Sequence, residues 1–287
     1  MGIVLGDNRY GKAEIRMVHV ARSGAHELAD LNVSVALAGD LAGTHLRGDN
    51  SNVLPTDTQK NTVYAFAAER GVGEIEDFAL RLARHFVSSQ PAIARAWVAI
   101  EEYPWRRLGP HSFARDGGSV RTARAVVDGD SEWVLSGVRE LVLMNTTNSE
   151  FHGYVVDRYT TLPPTTDRIL ATEVSAAWRH GGTTVDFGQS YVDAVARMTD
   201  AFVGTYSLAL QQTLYAMGGA VLADAGIVEA RLVLPNKHHF LVDTAPFGLD
   251  NPAAVYHADD RPYGRIEGTV TREDTVDAPL AWDGYAL

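Results

Sequence analysis

Lys12 closes the stretch R-Y-G-K, residues 9–12. A strand lysine is ordinarily a solvated edge charge, but a lysine held in a dry cleft becomes available as a base near neutral pH. The stretch T-D-T-Q, residues 56–59, fits a capping box ahead of a helix. Free N–H groups at such a start also attract anions, and the Thr56 hydroxyl there can relay a proton. Phe151, in T-T-N-S-E-F-H-G-Y, either covers a core edge or offers a flat platform to a planar ligand. Arg168, in T-T-D-R-I-L-A-T, either pairs with a surface carboxylate such as Asp167 or grips a carbonyl or anion with two N–H groups. Gln211 and Gln212 open a helix; an inward amide there both donates and accepts.

The stretch L-P-N-K-H-H-F, residues 234–240, follows the strand V-E-A-R-L-V-L. Neighbouring residues of a strand point to opposite faces, so His238 and His239 cannot share one metal ion if the strand continues. Asn236 and His238 share a parity, which sets an amide beside an imidazole. With no cysteine and neither an H-E-x-x-H nor an H-x-H pattern, a structural zinc site is disfavoured.

Elements must hold these residues in place. Alternation from residue 12 predicts a strand, with Ala13, Ile15 and Met17 on one face and Lys12, Glu14 and Arg16 on the other. A turn at residues 23–24 leads to a partner strand, L-N-V-S-V-A-L-A. Helical spacing then joins Val63, Phe66 and Ala67, and next Ile75, Phe78, Leu82 and Phe86. Strands return at A-R-A-W-V-A-I-E-E-Y and V-R-T-A-R-A-V-V. The second half repeats the order: strands E-W-V-L-S-G-V-R-E-L-V-L-M and R-I-L-A-T-E-V-S-A-A-W precede two helices marked by Val195, Met198 and Phe202 and by Leu210, Leu214, Met217 and Val221. Strands V-E-A-R-L-V-L and R-I-E-G-T-V-T close it. The expected fold is α+β, two tandem units spanning 1–130 and 131–287, with paired helices on one face of antiparallel sheet. Open sheet edges predict joining of several copies.

The chain has 287 residues, 46% hydrophobic and 21% charged, the balance of a folded protein. A net charge of −11 argues against a nucleic-acid surface. No apolar run approaches the ~18 residues of a membrane span, and the start has no signal-peptide pattern. A cytoplasmic location is expected, with no nucleic-acid or membrane partner.

Taken together the motifs resemble the cofactor-free urate oxidase (uricase) family. R-Y-G-K, T-D-T-Q-K-N-T-V-Y, T-T-N-S-E-F-H-G, R-Y-T-T-L-P-P-T-T-D-R-I-L-A-T, Q-Q-T-L-Y and L-P-N-K-H-H-F are similar to that family's signatures, in its order, across nearly the whole chain. The resemblance implies tandem tunnelling-fold (T-fold) units assembled as a homotetramer around a tunnel. It implies oxidation of urate by dioxygen to 5-hydroxyisourate and hydrogen peroxide, with no cofactor and no metal. Arg168 and Gln211 would grip opposite edges of urate, Phe151 would stack on its face, and the backbone at Leu210 and Asp57 would add hydrogen bonds. Lys12 and Thr56 would form a proton relay adjoined by His238, while Asn236 and Thr56 would hold dioxygen or water. Lys12, Thr56, Asp57 and His238 would reach the site across a subunit interface from the Arg, Gln and Phe group.

Two departures stand out. Pro55 takes the place of a small residue and biases Leu54 towards extended geometry, which bears on rate more than on reaction type. The chain ends D-G-Y-A-L, without the peroxisomal S-K-L. Two alternatives remain at this level: another T-fold enzyme acting on a pterin or purine-like ring, with zinc held through His residues as one version, and a non-catalytic purine-binding tetramer.

Overall fold

The computed structural model describes residues 2–285 and 287; Met1 and Ala286, within the two terminal stretches just read, lie outside them. Strands β1 (Tyr10–Ala21) and β2 (Glu27–Gly39) form a hairpin, and short α1 (Ala42–Arg47) leads to α2 (Thr56–Arg70) and α3 (Ile75–Ser89). Strand β3 (Ile93–Tyr103), a small hairpin of β4 (Trp105–Arg107) and β5 (Phe113–Arg115), and β6 (Val120–Asp128) complete the first half. The second half runs through β7 (Ser131–Asn145), β8 (Leu170–His180), α4 (Phe187–Gly204), α5 (Leu210–Val221), β9 (Ile227–Leu241) and β10 (Tyr256–Thr271), ending in α6 (Pro279–Trp282). Among the described residues, eight strands make one open antiparallel sheet in the order β1-β2-β3-β6-β7-β8-β9-β10. Among the described residues no helix is long and apolar enough to cross a membrane.

The helices pair on one face because their apolar stripes have nowhere else to bury. Ile75, Phe78, Leu82 and Phe86 of α3 are fully buried over β3 and β6, in one core with Leu31, Val33, Val35 and Leu37 of β2. Leu210, Leu214, Met217 and Val221 of α5 join Met198 and Phe202 of α4 in a second core over β8 and β9. A smaller cluster sits on the opposite face, where Leu135 and Ala177 meet Ala278, Ala281 and Trp282.

Strand β1 departs from simple alternation just after Lys12, one of the candidate catalytic residues. Lys12 pairs with Val35 and Ile15 with Val33, so Ala13 and Glu14 together oppose one residue, Ser34. Glu14 takes a left-handed φ of 57° in this bulge. The extra residue reverses the parity, and Lys12, with Tyr10, therefore shares the helix-side face with Ile15 and Met17 instead of facing away from those two. The alternating pattern alone had put Lys12 opposite Ile15.

Strand β7 repeats the device. Its register shifts between Val138 and Leu141, with Glu140 at φ 61°. Three residues before each of these glutamates stands a glycine at a point of close approach: a Cβ on Gly11 would lie 1.9 Å from the Val35 carbonyl oxygen, and one on Gly137 2.6 Å from that of Ala176. The matched segments read G-K-A-E-I and G-V-R-E-L. We propose that the chain divides into 1–130 and 131–287 at the tight turn between Asp128 and Ser131, since each side carries one of these matched glycine–glutamate bulges and a main helix-side core. The sheet runs through this turn without a break.

The T-D-T-Q stretch does not form a capping box. Pro55 is the N-cap, with φ −52° and ψ 139°, Thr56 is the first helical residue, and no side chain caps the start. Proline's fixed φ brings the helix in one residue early, and Gln59 is buried with its amide donating to the Leu54 carbonyl at 3.2 Å. Strand β9 also exceeds the sequence expectation by continuing through L-P-N-K-H-H-F to Leu241. The ladder to β8 is broken between Thr172–Asn236 and Ser175–Val233, where Pro235 has no amide to give.

Candidate active site

The residues singled out by their chemistry form two groups. The first is Lys12, Thr56 and Asp57. Tyr10, two residues before Lys12, reaches the loop before α2: its hydroxyl donates to the Leu54 carbonyl at 3.1 Å and accepts the Leu54 N–H at 2.9 Å. The first N–H groups of α2 have no acceptor within the helix, so the start is prepared for an anion or carbonyl. Asp57 accepts from Lys60 at 2.5 Å and from Asn61 at 3.1 Å. The Lys60 hydrogen bond holds the Asp57 carboxyl below the usual carboxylate range, and the nearby Lys12 charge adds to this. The exposed carboxylate is thus neutralised locally. Its backbone, at the helix start, remains the part suited to a ligand.

The second group gathers around the ends of β8, α5 and β9. Phe151 is fixed by a bridge to Thr165, with mutual backbone hydrogen bonds of 2.9 and 3.0 Å. Tyr154 stacks on Phe151 at 4.9 Å and 19°, and the Arg168 guanidinium stands 5.3 Å from the same ring. Arg168 donates to Ser149 twice, from its backbone N–H to the carbonyl at 2.9 Å and from Nε to the hydroxyl at 3.2 Å. Burial pushes the Arg168 guanidinium pKa down, and guanidinium nevertheless keeps its charge at any ordinary pH. With Nε committed, the outer nitrogens are left for a ligand.

Ser149 is bridged to Ser207, and this pair ties the Phe151 loop to the approach of α5. Ser207 donates its N–H to Asn148 and accepts that of Glu150, both at 2.9 Å, while the Thr213 hydroxyl donates to the Ser207 hydroxyl at 2.8 Å. All three side chains, Ser149, Ser207 and Thr213, are completely buried. Leu210 is therefore seated as the first residue of α5 with a free N–H, and Gln211 is exposed beside it. Gln212 is used differently, because its carbonyl oxygen accepts the Leu208 N–H at 2.9 Å and steadies the loop.

On β9, Asn236 and His238 continue the line of Leu232 and Leu234, the residues that face α4 and α5. His238 stacks on Phe240 at 5.8 Å, as their shared parity requires. His239 points the other way, its Nδ1 lying 3.1 Å from the Lys237 carbonyl oxygen. Across from Asn236 and His238, β10 leaves the ladder between Asp259 and Gly264. Among the described residues, no group of three or more His, Asp or Glu is arranged to hold a metal ion.

One expectation needs correction. His238 is joined to the Arg168 group and not to the Lys12 group, because β9 pairs directly with β8, which begins two residues after Arg168. Lys12 lies on β1, five strand spacings from β8, about 24 Å measured along the sheet at ~4.8 Å per step. No single planar ring touches both groups of one chain. Tyr10, Ser149, Tyr154 and Thr213 lie within the quoted motifs without their roles being readable there, and Ser207 had no signal, since each acts through contacts between segments distant in the chain or through a turn whose path alternation does not reveal.

A family model described as Uricase matches residues 8–126 and 134–267, which include every residue of both groups. The chain is 48% identical to the uricase of Arthrobacter globiformis, over 99% of this chain and 95% of that protein. It is 35% identical to the uricase of Dictyostelium discoideum, over 93% and 96%. The crystal structure of the Arthrobacter globiformis uricase superposes with a TM-score of 0.95 at 48% identity, covering 99% of this chain and all of that one.

Proposed function

Since the chain belongs to the uricase family, we propose that its two groups of residues meet between copies of the chain, and that urate and dioxygen react where they meet. The activity is urate oxidation, a step of purine degradation, and the enzyme is an oxidoreductase. The supporting observation is the division of one chain's chemistry into two prepared halves set far apart on one open sheet. A homotetramer enclosing a tunnel gives each half its complement and covers the free edges.

In this reading Arg168 and Gln211 hold opposite edges of urate, and Phe151 stacks on its face. The Leu210 N–H, from the same copy, and the Asp57 N–H, from a second copy, complete the hydrogen bonding. Lys12 and Thr56 of the second copy remove and return protons, with His238 beside them. Asn236 and Thr56 position dioxygen and then water. Proton removal leaves an electron-rich ring that passes one electron to dioxygen; recombination gives a peroxide at C5. Loss of hydrogen peroxide and addition of water then yield 5-hydroxyisourate, so urate, dioxygen and water balance the two products. No cofactor is required, because positioning, desolvation and a tuned relay supply the catalysis.

The test is to mix chelator-treated protein with urate in air and follow urate absorbance together with peroxide. Equimolar peroxide, unchanged by chelation, is expected. Lys12→Ala or Thr56→Ala should lower kcat by ~10²-fold or more while urate binding changes little. Absence of peroxide would overturn the proposed reaction, and wild-type turnover in either variant would overturn the relay.

A further inference from the structure

Of the residues in R-Y-G-K, Tyr10 has no part in the chemistry above, yet its hydroxyl makes two hydrogen bonds to a single residue, Leu54. Gln59 adds a third contact to that residue, 3.2 Å to the same carbonyl. The clamped carbonyl belongs to the Leu54–Pro55 peptide plane, which is rigid. Beyond it lies Pro55, whose ring fixes φ and whose carbonyl accepts the Gln59 N–H at 3.1 Å. Thr56 therefore follows a segment with no soft dihedral left unrestrained. At the other end, Tyr10 and Lys12 share the helix-side face of β1 across Gly11, and Tyr10 packs on the first core.

We propose that Tyr10 is a positioning residue of the proton relay: its hydroxyl locks the backbone before Thr56 to the strand that carries Lys12. The proposal rests on the Lys12–Thr56 relay described above. Burial raises the Tyr10 hydroxyl above its ordinary pKa, so it stays protonated and able to donate. Misplacement on the scale of an ångström is enough to slow a preorganised reaction by up to ~10²-fold.

Tyr10→Phe keeps the ring and its packing and removes only the clamp. We expect kcat to fall by roughly tenfold, with anaerobic urate binding and assembly state unchanged. In a Thr56→Ala background the same change should slow turnover by less than about twofold, because the group it positions is gone. A full loss repeated in that background, or wild-type kcat in Tyr10→Phe alone, would overturn the proposal. Should Tyr10→Phe fail to assemble, Gln59→Met, which removes one of the three contacts, is put through the same pair of measurements and judged by the same outcomes. Lys12→Ala and Thr56→Ala are run alongside. Wild-type turnover in those two variants, whatever Tyr10→Phe does, would mark failure of the relay reading itself.

Discussion

A net charge of −11 sets a problem that single residues must solve, since an acidic chain repels an anionic substrate. In the proposed site the local positive charge comes from Arg168, half-buried and braced by Ser149 and Phe151. Its planar fork can meet a ring carbonyl and an adjacent nitrogen anion together, which an ammonium cannot do. Arg168→Lys should therefore weaken anaerobic urate binding by ~10- to 100-fold, the scale of one or two charge-assisted hydrogen bonds, with a smaller change in kcat; calorimetry in the absence of oxygen checks it, and unchanged affinity would contradict the assigned grip. At this scale the sequence was readable for residue types and motif order. It was misleading at Thr56, where Pro55 takes the cap position and leaves the hydroxyl out of the capping box. It was also misleading at Lys12, where a bulge reverses the face that simple alternation assigns.

At the scale of elements, helical spacing was legible because each stripe is one long local pattern, and Ile75, Phe78, Leu82 and Phe86 are buried as the periodicity required. Less legible was the full extent of β9, since Pro235 and the polar residues after it read as a strand end although pairing with β10 carries them on. Nor did periodicity reveal the buried polar junction between the two halves. There Ser136 of β7 donates to Glu76 of α3 at 2.6 Å, His180 of β8 lies 2.9 Å from the same hydroxyl, and Arg121 of β6 reaches Glu76 at 2.6 Å. Burial pushes the His180 imidazole down to about 4, with Asp224 acting weakly in the opposite direction. A neutral His180 fits the site: its Nε2–H donates to Ser136 while Ser136 donates to Glu76. Unfolded, the same histidine takes a proton below its ordinary value of 6.5. Stability from this residue is thus complete above about 6.5 and lost as pH falls towards about 4, by about 3 kcal/mol in all. Burial holds Glu76 above the usual carboxylate range, so its contribution has the opposite sign, present at low pH and lost as pH rises. Comparing His180→Phe with the wild type isolates the histidine: unfolding midpoints at pH 7 and pH 5 should differ less in the variant. Equal pH dependence in both proteins would contradict a buried neutral His180.

For the whole molecule, the tandem order of strand pair, helix pair and strand pair was legible from pattern, and the twin bulges at Glu14 and Glu140 give that order a structural counterpart. The separation of the two groups was implied by the family resemblance and not by the residues themselves, because motifs name candidate residues and not how many strands lie between them. Lys12 lies on β1 and Arg168 in the loop that enters β8, five strands away in one continuous sheet, so no single chain can complete the proposed site. Complementation tests this most directly. Lys12→Ala chains and Arg168→Ala chains, assayed at a urate concentration too low for either to turn over alone, are mixed in equal amounts, dissociated and allowed to reassemble. If every site takes Lys12 from one copy and Arg168 from another, random assembly restores about a quarter of wild-type turnover. No recovery, while wild-type chains carried through the same cycle regain their activity, would contradict a site shared between copies.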